Sequence, residues 1–243
     1  MVTPQLRGCP LIGTSNVFSA SRTNNIDKTV LLSTDKAVYP VNAMGMTKAL
    51  AEKLMISESK KEYGSFPLCA TRYGNVLGSR GSIIPRFINQ IKKGLPLTIT
   101  HPEMTRFLMT LEDSTDLVLH ALKNGSAGDI FVQKAPSCKV IDLGQALCNL
   151  LGVTFNYKFI GIRHGEKLSE TLISAEEMLN VNEKGNFYII KPDNRNINYE
   201  KYYTKGNNKE KKLIPFSSDN VPLLNIKKIE KLLLKVSEVK KEL

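Results

Sequence analysis

The chain has 243 residues, 42% of them apolar, and carries 34 lysines and arginines against 23 acids for a formal net charge of +11. That is more than one typical domain requires and enough apolar side chain to bury a core. No apolar run approaches the roughly 18 to 20 residues that span a bilayer, and the start lacks the charged-then-apolar order of a signal peptide, so the expectation is a cytoplasmic protein with no membrane span.

In chain order, Gly13 to Asn25 reads as a helix and Thr29 to Ser33 as a strand, short and apolar enough to be buried on both faces in a parallel sheet. Ala43 to Tyr63 reads as the next helix, with Ala43, Met46, Leu50 and Leu54 at helical spacing and expected to pack on the sheet. Pro67 to Tyr73 is the following strand, which gives the βαβ rhythm of a doubly wound fold. Beyond Ser82 the pieces shorten. Helix Ile83 to Lys93, strands Leu97 to Thr100 and Thr105 to Thr110, helix Glu112 to Lys123 and strand Asp129 to Val132 follow. Helix Ile141 to Leu151 and strand Phe155 to Ile160 come next, and Asn182 to Asn220 reads as a long loop region with short strands. The pattern predicts an α/β chain: residues 1–81 as part of a Rossmann-like doubly wound sheet, 82–243 as a smaller, mixed α/β domain ending in a helix.

The charge raises the question of nucleic acid. Residues 201–243 hold eleven lysines against five acids, arranged around the apolar stripe Ile226, Ile229, Leu233 and Val236. That is an amphipathic helix with a solvated polar face, and nothing matches a helix-turn-helix, a zinc finger or an aromatic RNA-binding strand. No nucleic-acid partner is expected. Cys9, Cys69, Cys138 and Cys148 show no C-x-x-C spacing, three of them falling in strands or helices, and read as buried thiols; His101, His120 and His164 give no metal spacing either.

The most informative stretch is Ser33 to Lys48, STDKAVYPVNAMGMTK, which joins the carboxyl end of the first strand to a helix carrying a lysine. Open α/β sheets bind ligands at that end of their strands. Asp35 and Lys36 sit just past the strand, and Met44 and Lys48, four apart, share one helix face. Further blocks follow in order: Arg72 to Val76 (RYGNV), Ser79 to Pro85 (SRGSIIP), Met104 to Phe107 (MTRF), Gly128 to Val132 (GDIFV) and Arg163 to Lys167 (RHGEK).

With these blocks the sequence resembles the extended short-chain dehydrogenase/reductase enzymes that modify nucleotide sugars, most closely the capsular-polysaccharide (CapD-like) branch. That branch includes configuration-inverting UDP-N-acetylglucosamine 4,6-dehydratases and proteins labelled UDP-glucose 4-epimerases. The similarity runs from about Gly13 nearly to the carboxyl end. It implies an NADP or NAD cofactor and a UDP-sugar substrate, and allows a homo-oligomer. No G-x-G-x-x-G turn occurs in the sequence, and Met1 to Leu11 matches nothing in the family. The chain therefore resembles such an enzyme without its opening βαβ units, each of about 30 residues, and a non-catalytic fragment stands as an alternative.

The resemblance assigns roles residue by residue. Lys36 is the base at carbon 5 of the sugar and Asp35 the acid at carbon 6; Lys48 holds the nicotinamide ribose, with Arg72 and Val76 as further cofactor contacts. Thr34 orients a sugar hydroxyl. Asn75, Arg80, Gly81, Ser82, Arg106, Arg163 and Glu166 contact the diphosphate and uridine, and no metal is implied. Arginine suits diphosphate because its planar fork meets two oxygens at once, and Gly81-Ser82 before a helix offers free N–H groups to an anion. Each of these side chains alone would equally suit a surface ion pair. Met44 departs from the tyrosine that most relatives carry there. A thioether cannot act as a base, which favours 4,6-dehydration with inversion at carbon 5 over a tyrosine-based 4-epimerase, although core packing of Met44 is an equal reading.

Overall fold

The computed structural model describes residues 11–60, 67–192 and 214–243. The central element is a five-stranded sheet of order β1-β2-β6-β11-β10, built from β1 (Thr29–Thr34), β2 (Leu68–Tyr73), β6 (Ile130–Gln133), β11 (Phe187–Ile190) and β10 (Val181–Lys184). The first three strands run parallel and the last two antiparallel. Strand β2 shows why its sequence is apolar without alternation. Leu68, Cys69 and Ala70 are all fully buried, because one face packs on helices α1 (Ile12–Thr23) and α2 (Ala43–Ser59) and the other on α4 (Leu111–Asn124). A capping box between Thr110 and Asp113 starts α4, satisfying backbone donors that a helix end leaves free.

A second core lies beside this sheet. Phe87 of α3 (Ile83–Lys92), Leu97 and Ile99 of β4 (Leu97–Ile99), Leu143 and Leu147 of α5 (Val140–Leu150) and Ile229 and Leu233 of α6 (Ile226–Leu233) form one buried cluster. Val239 of the short α7 (Ser237–Lys240) closes it. Within the described part of the lysine-rich carboxyl-terminal stretch, α6 is thus a helix with Ile229 and Leu233 of its apolar stripe in the core. Strands β3 (Asn75–Val76), β5 (Thr105–Met109) and β7 (Ser137–Lys139) form a small sheet, β4 pairs with β8 (Tyr157–Phe159), and β9 (Thr171–Ile173) pairs with β12 (Phe216–Ser217).

Two expectations change. The main sheet takes strands from both sides of position 81, so the boundary between residues 81 and 82 does not divide it. The α2 face against the sheet is not the one read from Ala43, Met46 and Leu50: Met46 and Leu50 are about half exposed, and Gly45, Ala51, Glu52, Met55 and Ser59 are buried. The rotation follows from two polar constraints, since Gly45 must lie against the Lys36 carbonyl and Glu52 must reach into the interior. The observed α2 ends at Ser59, and the expected end at Tyr63 lies outside the described residues, as does Cys9. Cys69, Cys138 and Cys148 are buried free thiols; burial pushes Cys69 up to about 11 and Cys138 to about 12. Among the described residues no His, Cys, Asp and Glu cluster could hold a metal, and no helix is long and apolar enough to cross a membrane.

Candidate active site

Strand β1 ends at Thr34, and the chain turns at once into a 3-10 turn, Asp35–Ala37. Asp35 is fully buried. Its Oδ1 accepts from Thr34 Oγ1 at 2.8 Å and from Lys36 Nζ at 3.0 Å, and its Oδ2 has no partner. The hydroxyl of Thr34, given to a sugar in the sequence reading, is here donated to Asp35. Three features set this turn in place. Gly74 packs against it, where an added Cβ would crowd Phe107 Cβ at 3.1 Å and touch Asp35 Oδ2 at 3.4 Å. Asn42 caps α2 by accepting from Gly45 N at 2.9 Å, and Gly45 lets the helix start pass the Lys36 carbonyl, where any Cβ would collide. From α2, Lys48 reaches across to β1 and donates to the Leu32 carbonyl at 2.9 Å.

Charges from two distant segments converge on this turn. Lys167 donates to the Val38 carbonyl at 2.6 Å, and Glu170 is buried with Oε2 unpartnered and Oε1 3.7 Å from Arg106 Nε. Burial, aided by the positive charges of Lys36 and Arg106, holds the Lys167 ammonium below its usual range. Burial and the negative charge of Asp35 hold the Glu170 carboxyl above its own. Sequence reasoning gave neither residue a role. Lys167 stood inside a matched block, and the signal for Glu170 was an acid directly before the apolar run Thr171–Ile173.

Next to this cluster is a cavity of about 260 Å3. It brings together Asn75, Gly81, Ser82, Arg106, Arg163 and Glu166, six of the residues expected at the substrate. Ser82 is the N-cap of α3 but makes no side-chain cap bond, and both its Oγ and Asn75 Oδ1 are buried without partners. A helix amino end of this kind suits an anion. Arg163 is half exposed and folds toward Glu166, 3.9 Å away. Arg106 is less free than expected, for its Nη atoms donate to the carbonyls of Thr105, Lys167 and Leu168. Arg80 is exposed and does not line the cavity. Arg86, Thr98, Thr100 and Met104 do line it and were missed. Arg86 lies four residues after Ser82, so helical spacing alone placed both on one side of α3.

The expected cofactor contacts divide. Val76 lines the cavity and Lys48 stands at the open carboxyl end of β1. Arg72 does not fit a cofactor. It is 2% exposed, and its five N–H donors go to Glu52, Glu177 and the Leu172 carbonyl. Burial alone would lower its pKa, yet the two carboxylates raise it. The motif arginine is an internal tie between β2, α2 and the segment after β9, with no donor left for a phosphate.

The family model described as "Polysaccharide biosynthesis protein" matches residues 9–192, and "Polysaccharide biosynthesis protein C-terminal" matches 193–240. The chain belongs to this polysaccharide biosynthesis family. Within it, a Rickettsia akari (strain Hartford) protein named UDP-glucose 4-epimerase is 50% identical over 234 residues, covering 96% of this chain and 69% of that protein. The Rickettsia prowazekii (strain Madrid E) protein of the same name matches to the same extent. The family member therefore spans about 69% of the length of these relatives. Among solved structures, Pen from Bacillus thuringiensis superposes with a TM-score of 0.81 at 32% identity, covering 93% of this chain and 67% of Pen. UDP-glucuronic acid 4-epimerase from Bacillus cereus, solved with UDP-glucuronic acid and NAD, gives 0.59 at 23% identity over 65% of this chain and 56% of that one. It shares the Rossmann-like fold.

Proposed function

We propose that this family member belongs to an enzyme that modifies a UDP-sugar for polysaccharide synthesis, by 4,6-dehydration of UDP-N-acetylglucosamine with inversion at carbon 5. The observation that carries this reading is the buried Asp35 with a free Oδ2 beside Lys36 at 3.0 Å, at the carboxyl end of a parallel strand, with Met44 where a phenol would be needed for the tyrosine route. Lys36 Nζ takes the carbon 5 proton, and Asp35 gives a proton to the departing carbon 6 hydroxyl. Lys36 is one-third exposed and so is open to a ligand from the cleft side, while Asp35 is shielded from bulk water. A nicotinamide cofactor, when bound, would accept the hydride from carbon 4 and give it back at carbon 6 once the hydroxyl has left; Lys48 is the residue here that would hold its ribose. Arg163, Arg106 and the amino end of α3 take the diphosphate, and Asn75 and Glu166 take hydroxyls of ribose.

The relatives at 50% identity are named UDP-glucose 4-epimerase, which supports a second reading, 4-epimerisation of a UDP-sugar. Incubation in deuterated water separates the two, using the chain completed with the amino-terminal segment of a curated relative. Dehydration places solvent deuterium at carbon 5 and yields a 4-keto-6-deoxy sugar, whereas 4-epimerisation leaves carbon 5 unlabelled. A galacto-configured product without label would overturn the dehydratase reading. No turnover by the completed chain, with UDP still bound, would favour a third reading, a non-catalytic protein that binds the UDP-sugar.

A further inference from the structure

The buried carboxylates of this chain are treated unequally. Glu52 receives Arg72 and Ser33, and Asp129 receives Lys191 on both oxygens. Glu170 is as deeply buried, at 4% exposure, yet its Oε2 is buried without a hydrogen-bond partner. The nearest cation, Arg106 Nε at 3.7 Å, lies beyond hydrogen-bond distance. The backbone holds it there: Glu170 N donates to Ser218 Oγ at 3.0 Å and Ser218 N donates to the Glu170 carbonyl at 2.8 Å. A buried carboxyl held in place with one oxygen left unpartnered needs an explanation beyond packing.

Its surroundings supply one. Asp35 and Lys36 face it from the turn after β1, Arg106 from β5, and Lys167 from the loop before β9. Asp35 also leaves one oxygen unpartnered, so two acids share three cations. Arg106 belongs both to this cluster and to the cavity wall. We propose that Glu170 couples ligand binding to protonation: as an anion of the nucleotide-diphosphate class occupies the cavity at Arg106, Glu170 takes up one proton from solvent. The cause is electrostatic. The ligand's negative charge offsets Arg106, the largest influence that favours the Glu170 carboxylate, so the neutral carboxylic acid becomes the favoured form. The neutral acid carries an O–H donor in place of an unpaired negative charge. The binding half of this proposal rests on the reading of the cavity as a diphosphate site; the ligand-free half does not.

Both halves can be tested on the full chain. Calorimetric titration with UDP in two buffers of different ionisation heat gives the protons taken up per ligand. The wild type is expected to take up more than Glu170→Gln, by up to one proton, with Glu170→Gln still binding UDP. Equal uptake in the two proteins overturns the coupling. Without ligand, carbon-13 labelled glutamate identifies the Glu170 carboxyl as the signal missing in Glu170→Gln, and amide spectra confirm that the variant is folded. That signal is expected to titrate above the exposed glutamates and to move to lower pH in Asp35→Asn. A midpoint within the exposed range, or one that Asp35→Asn leaves in place, overturns the proposal. If UDP gives neither heat nor spectral change, the diphosphate reading and the coupling both fall, and the ligand-free titration still decides whether Glu170 shares its charge with Asp35.

Discussion

Arg72 Nη2 stands 2.5 Å from Glu52 Oε2 in the interior, while Nη1 of the same guanidinium stands 2.8 Å from Glu177 Oε2, tying α2 to the segment after β9 through one side chain. Removing a partner from a buried pair leaves an uncompensated charge, and here it would leave Glu52 beside Ser33 with no cation. Arg72→Met should lose about 3–5 kcal/mol of stability, the range for breaking a buried ion pair. Urea unfolding of the two proteins checks it, and a loss under about 1 kcal/mol would assign this cluster the small worth of a surface pair.

The pH dependence of stability carries two terms of opposite sign. Burial would raise the Glu177 pKa, but the hydrogen bonds and charge of Arg72 hold it below 4.5 in the folded state. Its contribution is present above the unfolded value and is lost as pH falls through the folded one. Glu170 is held above 4.5 by burial and by Asp35, so its ionisation costs stability as pH rises from the unfolded to the folded value. Glu177→Gln should flatten the acid limb of a melting-temperature profile, and Glu170→Gln should remove the decline on the other side of 4.5. Parallel profiles for all three proteins would refute both assignments.

The elements were legible where a single physical pattern ruled them. Strand β2 read correctly because both its faces are buried, and α6 because its apolar stripe at Ile229 and Leu233 meets the second core; β1 is a strand as expected but not buried on both faces, since Leu31 and Ser33 are buried while Leu32 is 45% exposed. The face of α2 was misread because its burial is decided by Gly45 and Glu52, neither of which is apolar. At the site, motif order brought six expected residues to one cavity. Arg72 stood in the same kind of motif, and its partners Glu52 and Glu177 lie 20 and 105 residues away. Only the fold can reveal that its donors are used. Glu170 escaped for a related reason, since its importance lies in donors that it lacks.

Gly45 tests how tightly the Asp35–Lys36 turn is held. A methyl group there would meet the Lys36 carbonyl inside any real contact distance and Pro40 Cβ at 3.1 Å. Backbone carbonyl cannot rotate away as a side chain can, so α2 or the turn must shift. Gly45→Ala should cost about 1–3 kcal/mol, the range for overpacking, although alanine is the better helix former by roughly 1 kcal/mol. Thermal unfolding gives the sign: a stabilised variant would mean that the close approach does not exist in solution.

Two of the cavity arginines, Arg163 and Arg106, should respond differently to the same substitution. Arg163 is half exposed with one loose acidic neighbour, so Arg163→Lys should leave the melting temperature unchanged and weaken UDP binding by roughly the 1.5–3 kcal/mol of a charge-assisted hydrogen bond, toward the low end given its exposure. Arg106 also closes three backbone carbonyls, at Thr105, Lys167 and Leu168, through its Nη atoms. A lysine has one nitrogen where arginine has three and cannot reach them all. Arg106→Lys should therefore weaken UDP binding and lower the melting temperature together, because carbonyls near Lys167 and Glu170 lose their donors. Calorimetry with UDP beside a melting curve of each variant reads both effects. Unchanged UDP affinity in Arg163→Lys, with Arg106→Lys reduced only in stability, would make these arginines supports of the loop before β9 and would remove the diphosphate from this cavity.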